Sequence, residues 1–432
     1  MKFNEITSNM KVVFIIPGVG DSFYCGNCMR DNLHASALQK KGHEVIVIPL
    51  YLPLNKHAFH TKSPIFFPAT TYYLAQKLFK RISMPKWLER FTGSDSMLKM
   101  ASSMSGTTST KGMEGMTLSM IHGEDPVFQK EVERLITWLS QDEKPHIIHL
   151  SSSLLIGIAK AIKEKMDTPV VCSLQDEEVW IDSMKEKYAR LAWDSINKNL
   201  RFVDRLVTTS KFYKGIAEER LPDAIDIEVA YPGINLSKYN ESEAIGGKVI
   251  GYYYRLNQEN GLDILARAFV SLKRKNSIPG LRLKIGGGYT DHDKKFVKEV
   301  RQILAPVMRD VEFLDDYSMA DHSTFYSSIS LISVPLTFDE GVGLYLCEAF
   351  ASGVPAVAPA TGSFPEIIGE AGQLYHPNTP EKLSDALEKL LSDETLYKKA
   401  ALKAKEKASE VYNDHILAGR LHEIYKQTFN ND

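Results

Sequence analysis

Residues 333–366 read S-V-P-L-T-F-D-E-G-V-G-L-Y-L-C-E-A-F-A-S-G-V-P-A-V-A-P-A-T-G-S-F-P-E, and a change of hydrophobic period inside this stretch decides the local fold. An apolar, strand-like run, Ser330 to Pro335, leads into a turn that holds Gly341 and Gly343. Beyond the turn Leu344, Cys347, Phe350 and Ala351 recur at spacings of three and four, which is the period of a helix, until Gly353 and Pro355 stop it. A glycine-rich turn between strand and helix leaves backbone N–H groups unpaired at the positive end of the helix dipole. The stretch therefore predicts an anion site suited to a phosphate, supplied by Gly341, Val342, Gly343 and Leu344.

Two carboxylates, Glu340 and Glu348, bracket seven residues of it. One falls in the turn and the other about two turns down the helix, roughly 8–12 Å apart along the axis. That separation suits the two ends of one extended ligand. Glu340 can orient sugar hydroxyls and Glu348 can accept from both hydroxyls of a ribose, with a diphosphate between them over the glycine amides.

Outward from this stretch the same alternation recurs. Upstream lie Val249 to Tyr254, Gly261 to Lys273, Leu281 to Ile285, Asp291 to Leu304, Val311 to Leu314, Met319 to Ser328 and Leu331 to Val334, alternately strand and helix. Downstream, Thr379 and Pro380 open a helix as N-cap and first residue, and a final helix covers about Asp414 to Phe429. The N-terminal half repeats the pattern with strands at Lys11 to Ile16, Val45 to Leu50, His146 to Leu150, Pro169 to Leu174, Arg205 to Thr209 and Asp226 to Ala230, and with helices over Asp31 to Lys41 and about Leu154 to Lys165. Short strands that are apolar almost throughout, alternating with helices, predict doubly wound parallel sheets.

At 432 residues the chain is too long for one ordinary core, and two domains of about 200 residues follow. The boundary falls after the turn Tyr231-Pro232-Gly233-Ile234-Asn235, giving a first domain over 1–240 and a second over 241–413. Both sheets then direct their carboxyl ends at a shared crevice, where open α/β sheets bind ligands. An insert of about 55–125 interrupts the first domain and is longer than a simple connection. Within it, 72–91 carries Lys77, Lys80, Arg81, Lys86 and Arg90 among Leu74, Leu78, Phe79, Ile82, Trp87 and Leu88. This reads either as a basic amphipathic face for peripheral membrane contact or as helices packed over the first domain as a lid. Met97, Met100 and Met104 follow at helical spacing and read as adaptable core.

Composition removes several classes. A net charge of −2 and a pI near 6.7 give no reason to expect nucleic acid. Four cysteines are too few for a disulfide scaffold, the first ten residues have no apolar core of signal-peptide length, and no run approaches a membrane span, so a cytoplasmic protein is expected. Neither a G-x-x-x-x-G-K-[ST] loop nor a G-x-G-x-x-G turn after the first strand is present, which argues against a P-loop nucleotidase and a Rossmann dehydrogenase. Cys25-Gly-Asn-Cys28 at a helix head could be a redox pair, half of a zinc site, or a structural or acceptor-facing loop.

The E-x7-E pair, the approach P-x-x-x-x-E-G-x-G-L and the run E-A-x-A-S-G-x-P-A-V-A resemble the donor-site signature of the family-four retaining glycosyltransferases. The resemblance covers most of the chain. It implies the GT-B fold, with two Rossmann-like domains facing a crevice and the last helix, 414–432, crossing back to the first domain. It also implies a retaining, metal-independent transfer of a sugar from a nucleoside diphosphate to a glycan, lipid or small-molecule acceptor, with no cofactor and in the setting of polysaccharide biosynthesis. In that family two cations neutralise the leaving diphosphate; here Arg255 matches one and Asn260 stands where a lysine is usual. Gln175 stands where a histidine is usual and can still hydrogen-bond a sugar, while Gly287, in Gly286-Gly287-Gly288, matches a glycine turn near the nucleotide. Glu340, Arg255 and Gln175 are thus the candidate catalytic residues, and Glu348, the 341–344 turn, Asn260 and Gly287 the candidate donor ligands.

On the acceptor side Asp31, His149, Ser151, Asp176 and Glu177 are candidates. Three of them have a plainer reading: His149 as a satisfied strand-end histidine, and Asp176 and Glu177 as caps of the next helix. The replacements at Asn260 and Gln175 also motivate a second function, a catalytically weak nucleotide-sugar-binding partner of another transferase.

Overall fold

The protein is described by a computed structural model over residues 9–17, 24, 26–50, 113–123, 126–224, 226–243, 247–314 and 322–429. The basic stretch 72–91, Met97, Met100, Met104, Cys25 and the Cys28 side chain lie outside the described residues.

The first domain runs β1 (Lys11–Ile16), α1 (Gly26–Lys40), β2 (Glu44–Pro49), α2 (Glu114–His122), α3 (Pro126–Trp138), β3 (Ile147–Leu150), α4 (Ala159–Met166), β4 (Val170–Leu174), α5 (Glu177–Ile181), α6 (Glu186–Asn199), β5 (Arg205–Thr208), α7 (Lys211–Arg220) and β6 (Ile227–Val229). Its six strands pair in parallel in the order β2-β1-β3-β4-β5-β6. β3 and β4 are buried on both faces, which is why their sequences are apolar at nearly every position and do not alternate.

The second domain continues β7 (Val249–Tyr253), α8 (Leu262–Lys275), β8 (Arg282–Gly286), α9 (Lys294–Leu304), β9 (Val311–Phe313), α10 (His322–Ser327), β10 (Leu331–Ile332), α11 (Leu344–Ala351), β11 (Ala356–Pro359), α12 (Phe364–Ile368), β12 (Gly372–Tyr375), α13 (Pro380–Ser392), α14 (Glu394–Glu410) and α15 (Asp414–Phe429). Its sheet is also six-stranded and parallel, in the order β12-β11-β10-β7-β8-β9. This is the two-domain, doubly wound architecture expected of the alternating pattern.

One face of the first sheet, with Val13, Ile15, Ile148 and Leu150, packs on Ile121, Leu135, Leu155 and Ile162. The other face, with Val12, Phe14, Ile16, Val171 and Val207, is covered by Ala35 and Leu38 of α1 and by Leu417, Leu421, Ile424 and Tyr425 of α15. Burying each large apolar side chain of this kind contributes roughly 1.5–3 kcal/mol, so α15 is held firmly to a sheet that lies far upstream in the chain.

Two local features differ from the periodicity. The predicted helix from Leu154 opens as a 3-10 segment, Ser153–Ile158, because Gly157 lies against the end of α2: a Cβ there would stand 2.2 Å from the Met120 carbonyl. Residues 113–123, at the end of the predicted insert, accordingly form a packed layer of the first domain with Leu118 and Ile121 buried.

Candidate functional site

β10, a central strand, ends at Ile332, the chain runs on through Pro335 and Phe338, and α11 starts at Leu344 with Gly343 as its N-cap in the left-handed region at φ +61°. Glu340 is carried in that turn and Glu348 within α11, each almost wholly buried. The turn is not open to an anion in this state. Glu340 Oε1 accepts from the amides of Val342 at 3.0 Å and Gly343 at 3.1 Å, and Asp176 Oδ1, from the first domain, accepts from the amide of Gly341 at 3.2 Å. The donors expected to face a diphosphate are engaged by the chain's own carboxylates. Tyr254, at the end of β7, donates to Glu340 Oε2 at 3.1 Å.

Glu348 is more completely engaged. Its Oε1 accepts from Tyr239 at 2.7 Å and stands 3.0 Å from His322 Nδ1, and its Oε2 accepts from Tyr24 and Tyr326, each at 3.0 Å. Those four partners occupy about the four lone-pair sites that a carboxylate offers. Burial pushes its carboxyl up, yet His322 and the tyrosine hydroxyls outweigh burial and hold it below the ordinary value.

Tyr24 is the unexpected member. It belongs to the loop after β1, is 1% exposed, and reaches across the crevice so that its amide donates to Gly287 O at 2.7 Å and its ring packs against Tyr253, Tyr254 and His322. Gly287 itself sits at φ +115°, with the Tyr254 carbonyl 2.2 Å from where a Cβ would be, so only glycine fits that turn.

The cation and amide expected beside the diphosphate are also turned inward. Arg255 donates to Asp293 Oδ2 at 3.1 Å and to Thr290 Oγ1 at 3.2 Å, both partners lying in the loop after β8. Asn260 Nδ2 donates to the Arg255 carbonyl at 2.8 Å and so bridges the loop between β7 and α8. The Val342 and Leu344 side chains are buried in the second core, which leaves their backbones as the groups nearest the crevice.

Across the crevice the first domain presents the ends of β3 and β4. His149 is corrected from an acceptor ligand to a core histidine: Nδ1 stands 2.7 Å from the Tyr425 hydroxyl, Nε2 stands 2.8 Å from Ser173 Oγ, and burial and Arg30 lower its pKa to about 3. Glu177 likewise serves the fold. Its Oε1 accepts from Ser152 Oγ and the Ser153 amide, both at 2.9 Å, and its Oε2 from the Gln175 amide at 2.6 Å, which ties the loop after β3 to the loop after β4. Tyr213 Oη lies 2.8 Å from Glu177 Oε2 and 2.6 Å from Glu178 Oε2 while accepting from the Glu177 amide. A phenol has one proton to give, so one of these contacts requires a protonated carboxyl. Burial pushes both glutamates above their ordinary range, which favours such a shared proton.

Asp176 does not cap α5 with its side chain; held at φ 49°, it crosses to Gly341. Thr209 and Ser210 donate to the Gly341 carbonyl at 3.1 and 2.8 Å, so this one glycine is gripped from both sides. Asp31 pairs with Arg30 at 2.6 Å, and the Ser151 carbonyl accepts from Arg30 Nη2 at 2.7 Å and Gln175 Nε2 at 3.1 Å. The structure therefore brings Glu340, Asp176, Gly341, Tyr254 and Gln175 to the crevice, ties Glu348 across it to Tyr24, and keeps Arg255, His149 and Glu177 inside their domains. Sequence reasoning missed Tyr24, Tyr239, His322, Tyr326 and Asp293; the run Tyr252-Tyr253-Tyr254 before Arg255 was the one visible signal. Among the described residues no cluster of three metal-ligating side chains occurs, and no helix is long and apolar enough to cross a membrane.

The family model described as Glycosyl transferases group 1 matches residues 238–408, and that described as Glycosyltransferase Family 4 matches residues 121–238. A D-inositol 3-phosphate glycosyltransferase of Corynebacterium aurimucosum is 32% identical over 152 residues, which is 34% of this chain and 35% of the relative. The chain thus spans about a third of that relative's length. Among solved structures, a sucrose-phosphate synthase from Thermosynechococcus elongatus superposes with a TM-score of 0.72 at 15% identity, covering 98% of this chain and 100% of its own. The Anabaena protein HepE, solved with UDP and glucose, gives 0.65 at 15% identity and covers 97% and 100%. At these identities the likeness speaks for the GT-B fold.

Proposed function

We propose, from the premise that the chain belongs to the group 1 glycosyltransferases of GT-B fold, that it transfers a sugar from a nucleoside diphosphate to an acceptor held by the first domain. The observation that carries this reading is the meeting at Gly341. There Glu340 of the second domain and Asp176 of the first converge on the N-terminus of α11, between the two sheets.

In this reading the donor diphosphate displaces the two carboxylates from the amides of 341–343, which then hold its charge with the helix dipole behind them. Glu340, released, turns to the hydroxyls of the donor sugar. The retaining course, with the leaving phosphate oxygen taking the acceptor proton, is the finer part of the proposal. So is independence from metal, which leaves the diphosphate charge to Arg255 and the amides. Purified protein supplied with UDP- and GDP-sugars should hydrolyse or transfer a donor, retain that turnover in EDTA, and lose at least about tenfold in rate on Glu340→Gln. An unchanged rate in that variant removes Glu340 from the mechanism.

A second reading is favoured by one contact: Asp293 holds the Arg255 charge at 3.1 Å, and Asn260 adds no second cation. In that reading the chain binds nucleotide sugar with little catalysis and serves another transferase. Calorimetric binding of UDP or GDP without turnover over a broad donor panel would favour it. Peripheral contact with anionic membranes through 72–91, in the cytoplasm, rests on charge pattern alone; Lys80→Glu with Arg81→Glu should then abolish sedimentation with liposomes.

A further inference from the structure

Among the described residues of the first domain, nine buried side-chain polar atoms have no hydrogen-bond partner, and four of them lie on three side chains near one another: Arg30 Nη1, both ring nitrogens of His34, and Gln175 Oε1. They are gathered by shared contacts. Arg30 and His34 are one turn apart on α1, and Arg30 Nη2 and Gln175 Nε2 donate to the same Ser151 carbonyl at 2.7 and 3.1 Å. A buried polar group left without a partner costs stability, so a cluster of them is retained at the expense of the fold.

From this juxtaposition we propose that Arg30, His34 and Gln175 form an acceptor subsite that binds the hydroxyl groups of an uncharged polyol ring; the proposal rests on the transfer reading above. The inventory of open positions carries the choice of ligand. Arg30 Nη1 can only donate and Gln175 Oε1 can only accept, while His34 offers one of each, because burial and Arg30 push its pKa well below the ordinary value and keep the ring neutral. An anion finds no net charge here, since Asp31 Oδ1 holds the Arg30 guanidinium at 2.6 Å, and the Gln175 oxygen repels it. A hydroxyl, which donates and accepts, matches every position. The next residue, Asp176, touches the Gly341 amide, so a ring seated on Gln175 borders the turn that carries Glu340.

The test uses the full chain and ligand-observed saturation-transfer NMR with glucose, myo-inositol and glucose 6-phosphate at millimolar concentration. The expected result is a signal for glucose or myo-inositol that exceeds the glucose 6-phosphate signal and falls about tenfold or more in His34→Phe. That variant replaces two unpartnered nitrogens with carbon, so it should melt at or above the wild-type temperature, which separates recognition from folding. Gln175→Met, expected to lower the signal similarly, covers the case in which His34→Phe does not fold. Silence from both neutral probes, unchanged binding in the variants, or preference for the phosphorylated probe overturns the subsite. Thermal shift with UDP and GDP runs alongside. Nucleotide binding without probe binding overturns only the subsite, and probe binding without nucleotide binding or turnover overturns only the transfer reading.

Discussion

Glu348 lies buried within α11. Three phenols and an imidazole surround its carboxylate, so Glu348→Gln would place an amide nitrogen against at least one donor. A loss of about 2–4 kcal/mol in urea unfolding is expected, and an unshifted midpoint would show that the network does not stabilise the fold. Its pH dependence has a definite sign. With its folded pKa below 4.5, Glu348 contributes stability that is present above that value and is lost as pH falls through the folded pKa. Glu177 and Glu178 act oppositely. Raised above 4.5, they keep protons that the unfolded chain has released, so stability falls as pH rises from 4.5 through their folded values. Glu178→Gln should flatten that decline in unfolding free energies measured from pH 4.5 upward.

At the scale of elements, two helix N-termini are capped from the opposite domain. The amides of Lys211 and Phe212, opening α7, donate to Glu366 of the second domain at 3.0 and 3.1 Å, while α11 faces Asp176 of the first. Glu366→Ala should cost about 0.5–2 kcal/mol, as loss of a cap does, and should enlarge the radius of gyration in X-ray scattering if the cap also joins the domains. Most elements were legible because their apolar periods are strong: β1 falls where the sequence put it, and Thr379 accepts from the Lys382 amide as the N-cap of α13. The long helix α14 was not read. After Tyr397 its buried stripe is Ala400, Ala401, Ala404 and Ala408, small residues whose periodicity carries little hydrophobic contrast.

For the whole molecule the decisive contact is at Gly341. A Cβ there would stand 2.4 Å from Asp176 Oδ1 and 2.9 Å from the Tyr213 ring, both across the crevice. Gly341→Ala should therefore push the domains apart, read as a larger radius of gyration, with the melting of each domain little changed. α15 is the second link. Tyr425→Phe would leave His149 Nδ1 buried without its partner, at an expected cost of about 1–3 kcal/mol in thermal or urea unfolding.

By itself the sequence determined the alternation of strand and helix, the two parallel sheets, and the placing of Glu340 before a helix and Glu348 within it, because these depend on periodicity and on residues only a few positions apart. Tertiary structure alone decided which polar groups are spent inside the fold and which are left over. Glu348 is engaged by Tyr24 from 324 residues away, and His149 by Tyr425 from 276. Hydrogen-bond saturation is set by such distant partners, to which no local pattern answers, and for that reason the unpartnered atoms of Arg30, His34 and Gln175 came to light only in the folded chain.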